Sequence, residues 1–356
     1  MSRRRKEEKF ITFKEQQHRE FLKEVFNSVL IAGCFMFASI PVFGVYPTAI
    51  VSPDSEWTGC LRIIVNFLYA SVGIYLPFLI YNVLKHKSSG RYFTNKGSTA
   101  MPPHYILGIL AGLGISVSLN YAGSLAVAAL RNAGITVNEA VPFTGDSALT
   151  QTVFIIAATL IPPFFQEITF RGIVVGDIRK QSYTYAIVLS GLLNGFCFKS
   201  FQQIPYFLVL GLLLGWLRLK TDSIVLTFSV NAASHLLMSS LWIFRLHSES
   251  AYVSVFPYIA LGGAFVALVS VIILFRVYGL RIKRKEEDGA GLEKKEARKA
   301  FFGSFALWIF FIFAVIFIML GQNGKPYLFK EPDPSEETPI VEPTSEQERV
   351  SETFTD

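Results

Sequence analysis

The chain has 356 residues, is 51% hydrophobic and 14% aromatic with 33 Phe, and is only 17% charged. Soluble domains carry about 25% charged residues, and a mean hydropathy of +0.42 over this length excludes an ordinary soluble globule, a disordered chain and a disulfide-stapled secreted scaffold. The net charge of +6 comes from basic residues beside apolar runs, which is a membrane-topology signal and not a phosphate-binding stripe, so nucleic acid is not an expected partner.

A span of the ~30 Å hydrocarbon core needs about 20 apolar residues. Candidate spans cover 26–46, 60–84, 104–130, 150–172, 183–200, 205–219, 223–244, 253–279 and 300–320. The fifth is interrupted by Asn194 and Lys199 and the sixth is short, so either fits a partial or re-entrant element. The start is basic but lacks an apolar stretch with a small-residue cleavage site, so no removable signal peptide is expected.

Lys and Arg alternate between loops. The first 25 residues hold eight, 47–59 none, 85–103 four, 132–149 none and 276–299 nine. Arg179 and Lys180 follow the fourth span, and Arg218 and Lys220 close the sixth. Nine spans with a cytoplasmic N-terminus account for this pattern. The expected chain is an all-α polytopic bundle of eight or nine spans in a cell membrane, because backbone groups in lipid must bond within helices or a closed barrel. Its parts are a basic cytoplasmic segment (1–25), membrane helices (26–149), a membrane core (150–245), further helices with a basic loop (246–320) and an acidic tail (321–356) expected to be disordered. The run 283–299 mixes both charge signs around a Gly pair and reads as a solvated loop with room for a short helix. Gly108 with Gly112, and Gly211 with Gly215, have the spacing that lets membrane helices approach closely. Cys34, Cys60 and Cys197 lie in or beside apolar stretches and form no metal or disulfide pattern.

An ionisable residue inside a span costs a few kcal/mol and needs an explanation. Pro162 and Pro163 interrupt the fourth span just before Gln166, Glu167 and Arg171. Glu167 and Arg171 are four apart and share a helical face. They form either a structural ion pair or a site in which Glu167 activates water and Arg171 orients it or binds an anionic group. Lys199 beside Ser200 suits a Lys snorkelling to the interface, and less well a Ser/Lys nucleophile pair, since adjacent helical residues diverge. Asn231 and His235 share one face of the seventh span. A buried His bonded to a neighbour is one reading and a metal ligand the other; zinc needs at least three protein ligands, and only Glu167 accompanies His235. No cofactor is therefore expected, a divalent metal being left short of ligands.

The run PPFFQEITFRG resembles the first motif of the CAAX-protease-like membrane family, also called CPBP, where a Glu pair precedes Arg within "EExxFRG". The run GLLLGWLRLKTDSIVLTFSVNAASH resembles the stretch that follows it in that family. The resemblance covers about residues 150–240 and has departures. The family's first Glu is Gln166 here, while Glu167 and Arg171 match. The histidine of its Phe-x-x-x-His motif falls on Ser200, counted from Phe196. Its His-x-x-x-Asn motif is present with the types exchanged, as Asn231 and His235. The resemblance implies an intramembrane core with a polar site among the fourth, fifth and seventh spans. In active members the glutamate and histidines are thought to activate water for cleavage near the end of a membrane-anchored substrate. With Gln166, Ser200 and Asn231 in place, the expected protein is a relative of such endopeptidases with impaired or lost catalysis, acting as a scaffold or regulator. The alternatives are an active endopeptidase with Glu167 as general base, or a small transporter. Expected partners are the lipid bilayer and a membrane-anchored peptide or protein.

Overall fold

The computed structural model describes residues 16–37, 39, 55–85, 98–134, 144–179, 182–197, 201–280 and 294–322. Ten helices run through them: α1 (16–37), α2 (Glu56–Leu84), α3 (Pro102–Asn132), α4 (Ala148–Ile178), α5 (Tyr183–Phe196), α6 (Ile204–Thr221), α7 (Ile224–His247), α8 (Glu249–Arg276), α9 (Lys294–Phe302) and α10 (Phe305–Gln322). No strand occurs among the described residues. The protein is an all-α polytopic bundle, as the apolar runs require.

Serines start the helices that matter most. Ser147 Oγ accepts from the Thr150 N–H at 3.1 Å and opens α4, and Ser223 Oγ accepts from the Leu226 N–H at 3.1 Å and opens α7. Each satisfies one of the orphan donors of a helix N-terminus. The α6–α7 junction is tight because Asp222 adopts a left-handed conformation with φ 48°.

Six of the helices are long and apolar enough to cross a membrane by themselves: α2, α3, α4, α6, α7 and α8. The pair α9 and α10 passes the same test jointly, bent by 46°. Helix α5 has 14 residues, about 21 Å at 1.5 Å per residue, and falls short of the hydrocarbon thickness. It packs closely against α6. Helix α1 begins ten residues before the expected first span. Its early turns are amphipathic, with Leu22 and Phe26 fully buried, and they are tied by Arg19 to Glu296 at 2.9 Å and by Lys85 to Glu24 at 3.3 Å. The short helix in the basic loop is α9. The expected acidic tail lies outside the described residues beyond 322.

Two main cores form. One joins α1, α5, α9, α10 and parts of α2 and α4 around Phe26, Phe78, Phe170, Leu189 and Phe310. The other joins α3, α6, α7 and α8 around Leu210, Leu214, Leu217 and Val230. Helix α4 runs along the seam between them. Glycines set the spacing. At Gly211 an added methyl would come within 2.8 Å of Asn194 Cβ and 2.9 Å of Gly191 Cα, so α5 and α6 touch through their backbones. Gly112 meets Val230 of α7 with the same economy, at 2.6 Å. Both expected GxxxG stretches therefore mark close crossings. A third crossing, between Gly114 of α3 and Gly263 of α8, does not follow from that spacing.

At Gly114 a methyl group would collide with the Gly263 carbonyl oxygen, whereas a methyl at Gly262 meets open space. Gly114→Ala is expected to cost about 1–3 kcal/mol through forced separation of α3 and α8, while Gly262→Ala is neutral. Thermal unfolding of the two purified variants in detergent checks this contrast.

Candidate functional site

The polar site starts at a defect in α4. Pro162 and Pro163 lack the N–H groups that would close bonds to the carbonyls of Ala158 and Thr159. Beyond them the helix widens to π-helical form over Glu167–Val174. Such π segments are rare and concentrate at functional sites. Every side chain of that segment is buried.

Glu167 is 2% exposed and Arg171 is fully buried. Arg171 Nη1 stands 3.3 Å from Glu167 Oε1. The guanidinium also donates to Asn194 Oδ1 at 3.1 Å and to the Gly211 carbonyl at 3.4 Å. Asn194 is held in turn, donating from Nδ2 to the Phe207 carbonyl at 2.7 Å. The cation is thus set by the α5–α6 hairpin, and the missing side chain at Gly211 lets Arg171 reach the backbone. From the other side, Asn231 Nδ2 donates to Glu167 Oε1 at 2.9 Å and to Gln166 Oε1 at 3.1 Å. Thr227, one turn before Asn231, lies next to the same carboxylate and donates its own hydroxyl to the Ile224 carbonyl at 3.0 Å. The four elements α4, α5, α6 and α7 therefore meet in one hydrogen-bonded network.

Four side chains of the network keep one unsatisfied polar atom each. Gln166 Nε2, Glu167 Oε2, Arg171 Nε and Asn231 Oδ1 are buried without a hydrogen-bond partner among the described residues. A buried group left so costs about 1–3 kcal/mol. Of these, the Gln166 donor and the Glu167 and Asn231 acceptors are together the complement of a single water molecule.

The structure brings Gln166, Glu167, Arg171 and Asn231 together, and Glu167 and Arg171 form an ion pair. His235 sits one turn further along α7 than Asn231. Its ring lies 5.5 Å from that of Phe207, and it lies near the backbone of Ala158. Ala158 carries one of the two carbonyls that the prolines deprive of a helical donor, which places the His235 imidazole beside the break in α4. Lys199 and Ser200 lie outside the described residues. Among the described residues no group of three or more His, Cys, Asp or Glu side chains is placed to hold a metal ion. The donor set at the site is one carboxylate already held by Arg171, which does not fit a divalent metal.

Sequence reasoning missed Thr227, the role of Asn194 and the Gly211 carbonyl. Thr227 had a signal: 227, 231 and 235 form a polar row at four-residue intervals on an apolar helix. Asn194 was singled out as polar at depth, but its partners on α4 and α6 are remote in sequence.

Fold and site define an intramembrane helical cage around a buried carboxylate–guanidinium pair. Residues 148–237 match the family model described as Type II CAAX prenyl endopeptidase Rce1-like. This segment, about a quarter of the chain, is similar to that family, and it contains every residue of the network. No curated protein and no solved structure matches the chain. The family match and the apolar helices make this a multi-pass membrane protein.

Removing one member of a buried pair strands the other charge, at a cost of about 3–5 kcal/mol. Arg171→Met is expected to destabilise the protein strongly, and Glu167→Gln combined with Arg171→Met to recover most of the loss, read by thermal unfolding in detergent. The same cycle serves His235: His235→Leu is destabilising, and adding Pro162→Ala, which restores a helical donor to Ala158, is expected to rescue about half or more of the loss, since an orphaned carbonyl is the main cost.

Proposed function

We propose that the protein is a membrane scaffold or regulator that keeps the cage of a CAAX-type endopeptidase and engages a membrane-anchored polypeptide without hydrolysing it efficiently. One observation carries this reading: the carboxylate at the centre, Glu167, is bonded to Arg171 and Asn231, and the groups that share its hydrogen bonds at 166 and 231 are amides, which do not titrate. General-base catalysis needs a titrating group within hydrogen-bond reach of the water and free to take its proton. Gln166 hydrogen-bonds but does not titrate, Asn231 is an amide, and His235 lies near Ala158 one turn away. Loss of general acid–base help alone removes about 10²–10⁴-fold in rate. The placement in a cell membrane with a cytoplasmic N-terminus belongs to the same proposal and rests on the alternation of Lys and Arg between loops.

A second reading is supported by the unsatisfied atoms of Gln166, Glu167 and Asn231. A water held by these three would sit against the carboxylate, and Glu167 could then serve as base in a slow endopeptidase, with Arg171 fixing its position.

The test uses full-length protein in liposomes with a farnesylated peptide ending in a CAAX sequence. The scaffold reading predicts saturable binding, trapped by a photo-crosslinker placed at Leu236, and cleavage no faster than that of Glu167→Ala. Cleavage by the wild type that is lost in Glu167→Ala establishes the second reading. Absence of both binding and cleavage overturns the proposal for this class of partner.

A further inference from the structure

Residues 98–101 run ahead of α3 and cross the end of α6. The Thr99 N–H donates to the Thr221 carbonyl at 2.8 Å, and the Thr99 hydroxyl donates to the Lys220 carbonyl at 3.4 Å. Both carbonyls belong to the last turn of α6, where the helix has no donor left for them. This short strap therefore caps α6 at its turn into α7. One side chain holds the strap. The Met101 N–H donates to His104 Nδ1 at 3.1 Å, and the His104 N–H returns a bond to the Met101 carbonyl at 2.9 Å. The pair forms a capping box at the start of α3, with His104 in the place that Glu or Gln usually takes.

That bond fixes the protonation state of the ring. A neutral imidazole has one accepting nitrogen and one N–H, so with Nδ1 accepting, the hydrogen sits on Nε2. A second proton would go to Nδ1, and the ring would then meet the Met101 N–H donor to donor. The side chain is 2% exposed and lies edge-to-face with Tyr278 at 5.3 Å. Its Nε2 is buried without a hydrogen-bond partner among the described residues. The strap and the first three turns of α7 carry no titratable side chain. The start of α3 adds Tyr105, the end of α8 adds Arg276 and Tyr278, and the end of α6 adds Arg218, Lys220 and Asp222. The carboxylate in this group, Asp222, already stands 2.7 Å from both Arg179 and Arg218. An imidazolium at 104 is thus a buried cation with no carboxylate of its own, formed at the expense of the bond that holds the strap.

We propose that His104 is a proton-operated catch: with the imidazole neutral the strap caps α6, and protonation releases residues 98–101 from the α6–α7 turn. Histidine is the side chain whose charge changes near neutral pH, whereas Gln in the same box closes it at any pH. Release uncovers the carbonyls of Lys220 and Thr221 directly before Asp222 and Ser223, the residue that opens α7. Helix α6 carries the Gly211 carbonyl bonded to Arg171, and α7 carries the Asn231 amide bonded to Glu167. The catch therefore acts on the two helices that hold the buried pair from either side. It answers to pH on the side of the membrane where α3 begins, and it operates whether or not the site at Glu167 hydrolyses anything.

Hydrogen–deuterium exchange of the full chain in detergent tests it, read by mass spectrometry on peptides containing residues 98–101 and corrected for the intrinsic pH dependence of exchange. Between pH about 7.5 and about 5, a range that brackets the ordinary histidine value, protection of the Thr99 and Met101 amides is expected to fall about tenfold in the wild type, as loss of one hydrogen bond does. His104→Gln supplies an acceptor that does not titrate and is expected to stay protected at both pH values. His104→Ala removes the acceptor and is expected to be unprotected at both. Equal protection of the wild type at the two pH values, the same acid-dependent loss in His104→Gln, or full protection in His104→Ala overturns the proposal. If His104→Ala does not fold, the contrast between wild type and His104→Gln decides it alone.

Discussion

A carboxylate and a guanidinium buried side by side within an apolar bundle are the constraint around which the rest of this structure is arranged. Removing two such charges from water costs several kcal/mol each even after relaxation, and mutual attraction offsets this only when the remaining donors and acceptors are also met. Arg171 meets that condition in part through Asn194 and the Gly211 carbonyl, and Glu167 through Asn231, while Arg171 Nε and Glu167 Oε2 stay without a partner among the described residues. Each partner lies on a different helix. The pair therefore specifies how α4, α5, α6 and α7 sit against one another, with the glycines of α5 and α6 supplying the close approach.

The break at Pro162 and Pro163 follows from the same need. A regular α-helix through 158–174 would satisfy its own backbone and leave little reason for polar side chains to gather. With two N–H groups removed and the following turns widened, α4 presents free carbonyls and a rotated Glu167 to its neighbours. His235 and Asn231, four apart on α7, face these two features separately: one lies near the backbone of Ala158, the other bonds the carboxylate. The exchange of His and Asn relative to the family pattern thus has a local physical consequence. It places an amide next to Glu167 where the family has an imidazole, and moves the imidazole to a structural contact.

Much of this was legible from the residues alone. Long apolar runs fix an all-α membrane bundle because lipid leaves the backbone no other way to bond. The four-residue spacing of Glu167 and Arg171 gave the ion pair, and that of Asn231 and His235 gave their common face. What spacing within one helix does not carry is the partner on another. Asn194 and Gly211 meet Arg171 because α5 and α6 form a short hairpin, and Gly114 meets Gly263 across 149 residues of intervening numbering, since 263 − 114 = 149. The first turns of α1, before 26, were not legible for a different reason: they are amphipathic, and a window of continuous apolarity does not see a helix whose polar face is held by salt bridges.

The central claim is a direct contact between Glu167 and Arg171 in the folded protein within a bilayer. Dipolar-recoupling solid-state NMR between isotope-labelled glutamate carboxyl carbons and arginine guanidinium nitrogens, in wild type and in Glu167→Gln, measures it. The account predicts a short-range coupling, consistent with the 3.3 Å separation of Nη1 and Oε1, that adds in the wild type to the one from Arg19 and Glu296 and is lost from the variant, so that the wild type dephases more strongly. Identical dephasing in the two proteins would mean that Glu167 does not touch Arg171, and the arrangement of the four helices described around that pair would fall with it.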